Sequence, residues 1–148
     1  MEVIFDGVRA LIRRDFDGLE QAGAIMVRGS GPDRRILLVT TKKGDRWIFP
    51  KGTIKKSETA EEAAQREAEE EAGIRGRLLA YVGTTISADE DEEVRVNYFL
   101  LRAVAQPGEG EDKRKQRWCT PEETLELLSW PALRQLMEMA LPEIMQFE

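Results

Sequence analysis

The sequence predicts an α+β fold in which a mixed β-sheet is sandwiched between helices, layered α/β/α. Three observations carry that expectation. Short apolar and β-branched runs separated by turn formers fill the first and middle parts of the chain. One long glutamate-rich helical segment interrupts them, and helix signals return only towards the C-terminus. At 148 residues, 41% apolar and 34% charged, residues 1–148 read as a single globular domain. A chain of this size can bury about 68–70% of its unfolded surface, so its core needs neither disulfide nor metal.

Residues 22–28 and 35–41 read as strands, joined by the turn formers Gly29-Ser30-Gly31-Pro32-Asp33. A short strand, Arg46-Trp47-Ile48-Phe49, stops at Pro50, and Lys51-Gly52 opens a loop. Residues 59–72 form the clearest helix. Thr59 with Glu62 three residues later makes a capping box, and Gly73 is placed to end the helix in a left-handed conformation. Strands follow near 77–86 and 94–104, joined by the acidic run Asp89-Glu90-Asp91-Glu92-Glu93. A loop rich in Gly and Glu, from Gln106 to Asp112, leads to Arg117-Trp118-Cys119. Thr120 then caps a helix with Pro121 at its first position, and a last helix runs from about Pro131 to Ala140. Residues 1–20, with a short apolar stretch from Val8 to Ile12, form an N-terminal extension without an assignment.

Composition excludes several chemistries. There is no histidine, which removes Ser-His-Asp triads, Cys-His pairs and imidazole-based zinc sites. The single cysteine, Cys119, has no intramolecular partner and reads as a core thiol in a reducing compartment, so a cytoplasmic location is expected. No apolar run approaches 18 residues and no basic segment precedes an apolar one at the N-terminus; neither a membrane span nor a signal peptide is expected. The net charge of -6 is local: between Glu58 and Gly73, seven glutamates stand against one Arg66. The rest of the chain balances, so a nucleic-acid partner is not expected either.

That acidic segment needs a reason. On a helix, Glu67, Glu70 and Glu71 fall on one face at i, i+3 and i+4, with Ala60, Ala63 and Ala64 leaving the same face uncrowded. Glu58, Glu62 and Glu69 point the other way. Like charges at these spacings cost about 0.2–0.5 kcal/mol per pair, and a solvated acidic face is the ordinary explanation of such a run. A hard divalent cation reverses the sign, and carboxylates without His or Cys suit magnesium or manganese.

The spacing around the helix is more specific. Gly52, Glu58, Arg66-Glu67, Glu70-Glu71 and Gly73-Ile74 fit G-x5-E-x7-R-E-U-x-E-E-x-G-U, with U aliphatic. This is a complete Nudix box, and the chain resembles the Nudix hydrolases over roughly residues 22–140. The resemblance implies the Nudix fold and hydrolysis of a diphosphate linked to another moiety, with a divalent cation, magnesium or manganese, as cofactor. It also implies Glu67, Glu70, Glu71 and the Gly52 carbonyl as metal ligands. Glu70 is implied as general base with Glu67 second, Arg66 as the residue orienting the glutamates, and Glu58 as its salt-bridge partner. A further ligand on a later loop is implied among Glu109, Glu111 and Asp112. The chemistry is coherent, because cations can acidify water and neutralise the phosphoryl oxygens that repel it.

Residues 45–52 (Asp-Arg-Trp-Ile-Phe-Pro-Lys-Gly) and 113–118 (Lys-Arg-Lys-Gln-Arg-Trp) narrow the resemblance. They are similar to the diphosphoinositol polyphosphate phosphohydrolases and the dinucleoside polyphosphate hydrolases. Glu20-Gln21 stands where inositol-specific relatives carry basic residues, and Pro50-Lys51-Gly52 where they favour a glycine run. Both differences turn the reading towards a dinucleoside polyphosphate of the diadenosine type. Lys42, Lys43, Lys51, Lys113, Arg114 and Lys115 are expected to bind its distal phosphates, and Trp47 to stack on a base or anchor the core. Trp118 and Trp130 read as structural. The alternatives are a diphosphoinositol polyphosphate phosphohydrolase, a broad nucleoside diphosphate-X pyrophosphatase, and a non-catalytic nucleotide-sensing module. The expected partner is a polyphosphorylated small molecule, bound by a monomer or homodimer.

Overall fold

The computed structural model describes residues 2–4, 19–89, 92–110 and 114–146. Its organising strand is β2 (Leu19–Arg28), whose residues from Ala22 to Val27 are all buried. β2 pairs in parallel with β7 (Glu92–Ala105) and antiparallel with β3 (Arg35–Thr40), which makes the sheet mixed. β7 forms a long antiparallel ladder with β6 (Arg75–Asp89), and β1 (Glu2–Ile4) adds to the far side of β6. β4 (Trp47–Ile48) continues from β3, while β5 (Lys51–Thr53) pairs with β2 and β8 (Gln116–Cys119) with β3. Three helices pack on this eight-stranded sheet among the described residues: α1 (Ala60–Ala72), α2 (Pro121–Leu127) and α3 (Pro131–Ile144). The α+β sandwich is the fold that the segment order predicts.

Lys51-Gly52, read as the opening of a loop, and residues 116–119, given no element, are both in strands. Lys51-Gly52 belongs to β5, because its backbone meets Gly23 and Ala22 of β2, and Ala24 also donates to the Pro50 carbonyl. Residues 116–119 complete the free side of β3, opposite residues 36–39. Neither segment has an alternating pattern of its own; a neighbouring edge supplies the partners. β2 also begins three residues before the expected start. β6 and β7 extend to Asp89 and Glu92, with the acidic residues 90–91 between them outside the described set, as are Val8 to Ile12. α3 passes Ala140 and reaches Ile144, which is fully buried, while Arg34 donates to the carbonyl of Met145 just beyond it, at 2.7 Å.

The alanines of α1 are not an open face. Ala60, Ala63, Ala64, Ala68 and Ala72 are all fully buried, and the helix lies on β2, β5, β6 and β7. Small side chains allow a close approach, which carries the glutamates of the same helix to the edge of β5. Both ends of α1 are built as expected. Thr59 and Glu62 form a reciprocal capping box, and Gly73 takes φ 72° and donates to the Glu69 carbonyl. A Cβ on Gly73 would overlap the Gly108 carbonyl. With the left-handed conformation added, Gly73→Ala is expected to cost about 2 kcal/mol or more. Urea unfolding should show a lower midpoint with an unchanged slope.

Candidate active site

α1 and β5 bring the box residues to one end of the sheet. Arg66 is their hub, with five hydrogen bonds. Its Nε and one terminal nitrogen hold both oxygens of Glu58, at 2.6 and 2.9 Å, and that second nitrogen also reaches the Thr53 carbonyl. The other terminal nitrogen donates to Glu67 at 2.7 Å and Glu70 at 3.1 Å. Glu58 therefore lies before the helix and turns back onto it, rather than pointing to the opposite side. Hydrogen bonding to Arg66 holds the Glu58 carboxyl below its usual range, and those same contacts make Arg66 harder to deprotonate. One guanidinium thus offsets the repulsion between glutamates that helix spacing alone would impose.

Glu67 depends on a missing atom. A Cβ at Gly52 would fall on its carboxylate, so only glycine leaves that group its place beside β5. Glu71 is the most buried of the three glutamates, 4% exposed. It accepts from the Lys51 backbone N–H at 3.1 Å and pairs with Arg114 at 3.2 Å. Burial pushes its carboxyl up to about 7, which Arg114 opposes and Glu67 reinforces. Glu70 is the most open, with 41% of its side chain exposed against 12% for Glu67.

A pH dependence follows for the metal-free protein. A carboxyl that ionises at about 7 when folded and near 4.5 when unfolded favours the folded state at low pH. That contribution is lost as pH rises through the folded value. In chelator, the thermal midpoint should fall between about pH 5 and pH 8, and Glu71→Gln should flatten the fall.

Glu67, Glu70 and Glu71 line a cleft of about 900 Å³ together with Gly52, Lys42, Lys51, Arg114 and Trp130. The Lys51 ammonium is held by the Gln21 side chain at 3.0 Å, and burial lowers its pKa. The three cations come from separate segments: the turn after β3, strand β5 and the residues before β8. The remaining substrate-binding expectations fall elsewhere. Lys43 and Lys115 are exposed outside the cleft lining, and Lys115 uses its backbone to pair with Thr40. Trp47 sits opposite Thr40 at the end of β3 and bridges to Leu128, so the strand pairing that places it turns it away from the cleft lining. Glu109 lies in a second recess that shares Glu70, whereas Glu111, Asp112 and Lys113 are outside the described residues.

Five lining residues escaped sequence reasoning: Gln21, Thr41, Ile48, Thr53 and Trp130. Gln21 is a polar side chain in a buried strand, and that mismatch was the available signal. Trp130 precedes the proline that starts α3; helix starts often border sites, yet nothing in its type distinguishes a cleft wall from a core anchor.

The donor set has the chemistry of a hard-cation site: carboxylate and carbonyl oxygens, with no thiol or imidazole in the cleft. Among the described residues no three acidic groups already converge on one point. Their oxygens face Arg66, Arg114 and the Lys51 N–H instead, so a cation must compete with these partners.

Comparison with known proteins shows the family. The model of the NUDIX domain matches residues 19–140. Diphosphoinositol polyphosphate phosphohydrolase 3-alpha of Mus musculus is 29% identical over 113 residues, covering 74% of this chain and 68% of that protein. Nudix hydrolase 16, mitochondrial, of Arabidopsis thaliana is 26% identical over 133 residues, covering 83% and 69%. Among solved structures, a C. elegans Ap4A hydrolase binary complex superposes with a TM-score of 0.75 at 20% identity, over 87% of this chain and 99% of that one. The family match spans the box helix, the cleft residues and most of the sheet, and the chain belongs to the Nudix family, as a hydrolase of pyrophosphate bonds in phosphorus-containing compounds.

Proposed function

We propose that the chain hydrolyses a phosphoanhydride of a dinucleoside polyphosphate, of the diadenosine polyphosphate type, by attack of water on phosphorus. The observation that carries this reading is the approach of Lys42, Lys51 and Arg114 to the glutamate cleft from three separate segments. A scissile diphosphate alone does not call for cations on so many sides; a longer phosphate chain does. Glu67, Glu70, Glu71 and the Gly52 carbonyl would hold magnesium or manganese, which supplies charge neutralisation and a more acidic water when bound. Glu70, the most open carboxylate, accepts the proton of the attacking water. Arg66 keeps Glu67 and Glu70 aligned, while Lys42 and Lys51 bind the phosphates beyond the scissile pair.

A diphosphoinositol polyphosphate is the second reading, favoured by the named function of several relatives at 28–29% identity. Against it, the cleft carries neutral Gln21 on β2, which is spent on holding Lys51. The buried free thiol of Cys119 suits a reducing compartment, and we place the protein in the cytoplasm.

Product formation should be followed by chromatography for diadenosine tetraphosphate (two mononucleotides), a diphosphoinositol polyphosphate (orthophosphate) and a nucleoside diphosphate-sugar (nucleoside monophosphate and sugar phosphate). Magnesium or manganese should be required, and excess chelator should abolish turnover while circular dichroism still reports folded protein. Full activity in chelator, or a preference for the inositol compound, overturns the proposal.

A further inference from the structure

The three glutamates of the cleft are not held in the same way. Arg66 takes one oxygen of Glu67 and one of Glu70, which leaves each carboxylate a second oxygen. Glu71 has both oxygens engaged: Oε2 accepts from the Lys51 backbone N–H at 3.1 Å, and Oε1 pairs with Arg114 at 3.2 Å. The two contacts differ in kind. The N–H belongs to β5 and stays where the strand pairing puts it. Arg114 is a side chain on the segment just before β8, and its contact is an ion pair. Both partners are sequestered, with 5% of the Glu71 side chain and 12% of the Arg114 side chain exposed. A guanidinium so placed supplies the charge that a buried carboxylate needs when no other cation is present. A divalent cation and a guanidinium on one carboxylate oxygen repel each other strongly, so Glu71 is open to metal only once Arg114 has left.

We propose that Arg114 is a positioning residue that stands in for the metal on Glu71, and that its displacement couples metal binding to phosphate binding. The proposal rests on the polyphosphate reading of the cleft and deepens it, by giving Arg114 alternative partners. Arg114 lines the same cleft as Lys42 and Lys51, so a guanidinium released from Glu71 is already beside the place of the phosphates. Its planar fork suits a phosphate as well as a carboxylate. Each ligand therefore helps the other. Metal on Glu71 frees Arg114 for phosphate, and phosphate on Arg114 frees Glu71 for metal. Linkage makes this coupling equal in both directions. Lys42 has no such link: among the described residues it lines the cleft without an ion pair to Glu67, Glu70 or Glu71.

The direct test is manganese binding to the substrate-free protein, with the free ion followed by EPR. Arg114→Gln should bind manganese about fivefold tighter than wild type, because a competitor is gone. Lys42→Gln removes one positive charge from the same cleft and should change the affinity by less than about twofold. In chelator, Arg114→Gln should lower the thermal midpoint by about 5 °C, and saturating manganese should restore most of it. In a Glu71→Gln background the same substitution should leave both readings nearly unchanged. A measurement on the wild-type protein decides the matter if Arg114→Gln does not fold. The buried Arg114 Nε–H, its resonance assigned by loss in Arg114→Lys, should exchange with solvent slowly in chelator and about tenfold faster or more with magnesium. Manganese affinity that is unchanged or weaker in Arg114→Gln overturns the proposal. So does equal tightening in Lys42→Gln, or an Nε–H that magnesium leaves as protected as before. Kinetics separate this role from the substrate reading. If manganese and exchange behave as expected but no dinucleoside polyphosphate is cleaved, Arg114 keeps its role and the substrate reading falls. If diadenosine tetraphosphate is hydrolysed while Arg114→Gln binds manganese like wild type, the coupling falls and the hydrolase stands.

Discussion

Glu70→Gln is expected to lower kcat by roughly 10²–10⁴-fold with a much smaller change in KM. The change is isosteric, and the amide oxygen can still accept from Arg66, so the hub that holds Glu58 and Glu67 survives. What disappears is the carboxylate best placed to take a proton from water. Glu70 leaves 41% of its side chain open, whereas the Glu71 side chain is only 5% exposed and engaged by Arg114. Glu67 is the competitor, 12% exposed and pressed against β5. Steady-state kinetics of both Gln variants, with melting curves to confirm folding, decide between them. A crippled Glu67→Gln beside a mild Glu70→Gln moves the base to Glu67, and near-normal turnover in both would mean that the site is misread.

Gly52→Ala should be nearly as damaging to turnover, about 10²-fold or more, through one methyl group. Gly52 lies in a strand and is not among the glycines with positive φ, so alanine brings no backbone strain. Its Cβ would instead meet the end of the Glu67 side chain, a flexible group that can swing away without disturbing the core. The expected signature is therefore a large loss of kcat and of apparent magnesium affinity, with a change in unfolding free energy of only about 1 kcal/mol or less. A comparable loss of stability would show that the position serves packing, and unchanged kinetics would show that Glu67 has no fixed place.

Local signals were sufficient for α1. Its capping box, its left-handed terminator and the spacing of its glutamates depend on residues a few positions apart, and short-range sequence records them. The same holds for the start of α2, where Thr120 and Glu123 close a second capping box around Pro121. The box spacing was equally legible, because one helix and its flanking turns carry nearly all of it. The lysines were not. Lys42 and Lys43 are adjacent in sequence, yet only Lys42 lines the cleft, and of the neighbours Arg114 and Lys115 it is Arg114 that reaches Glu71.

What remained hidden was decided by pairing between distant segments. β5 and β8 are strands because β2 and β3 offer them hydrogen-bonding partners, not because their own residues alternate. Trp130 and Gln21 meet Lys51 only after β2, β5 and α3 have come together, across more than a hundred residues of chain. The inversion of roles between Trp47 and Trp130 has the same origin. Each is an aromatic residue beside an element boundary, and the register of β4 on β3 together with the entry of α3 determines which one lines the cleft. The sequence by itself determined the fold class and the acidic helix, since both are written in local periodicity and spacing. Which cations and which aromatic ring share the cleft was decided by the tertiary structure, because such neighbours exist only once the sheet has closed its long-range ladders.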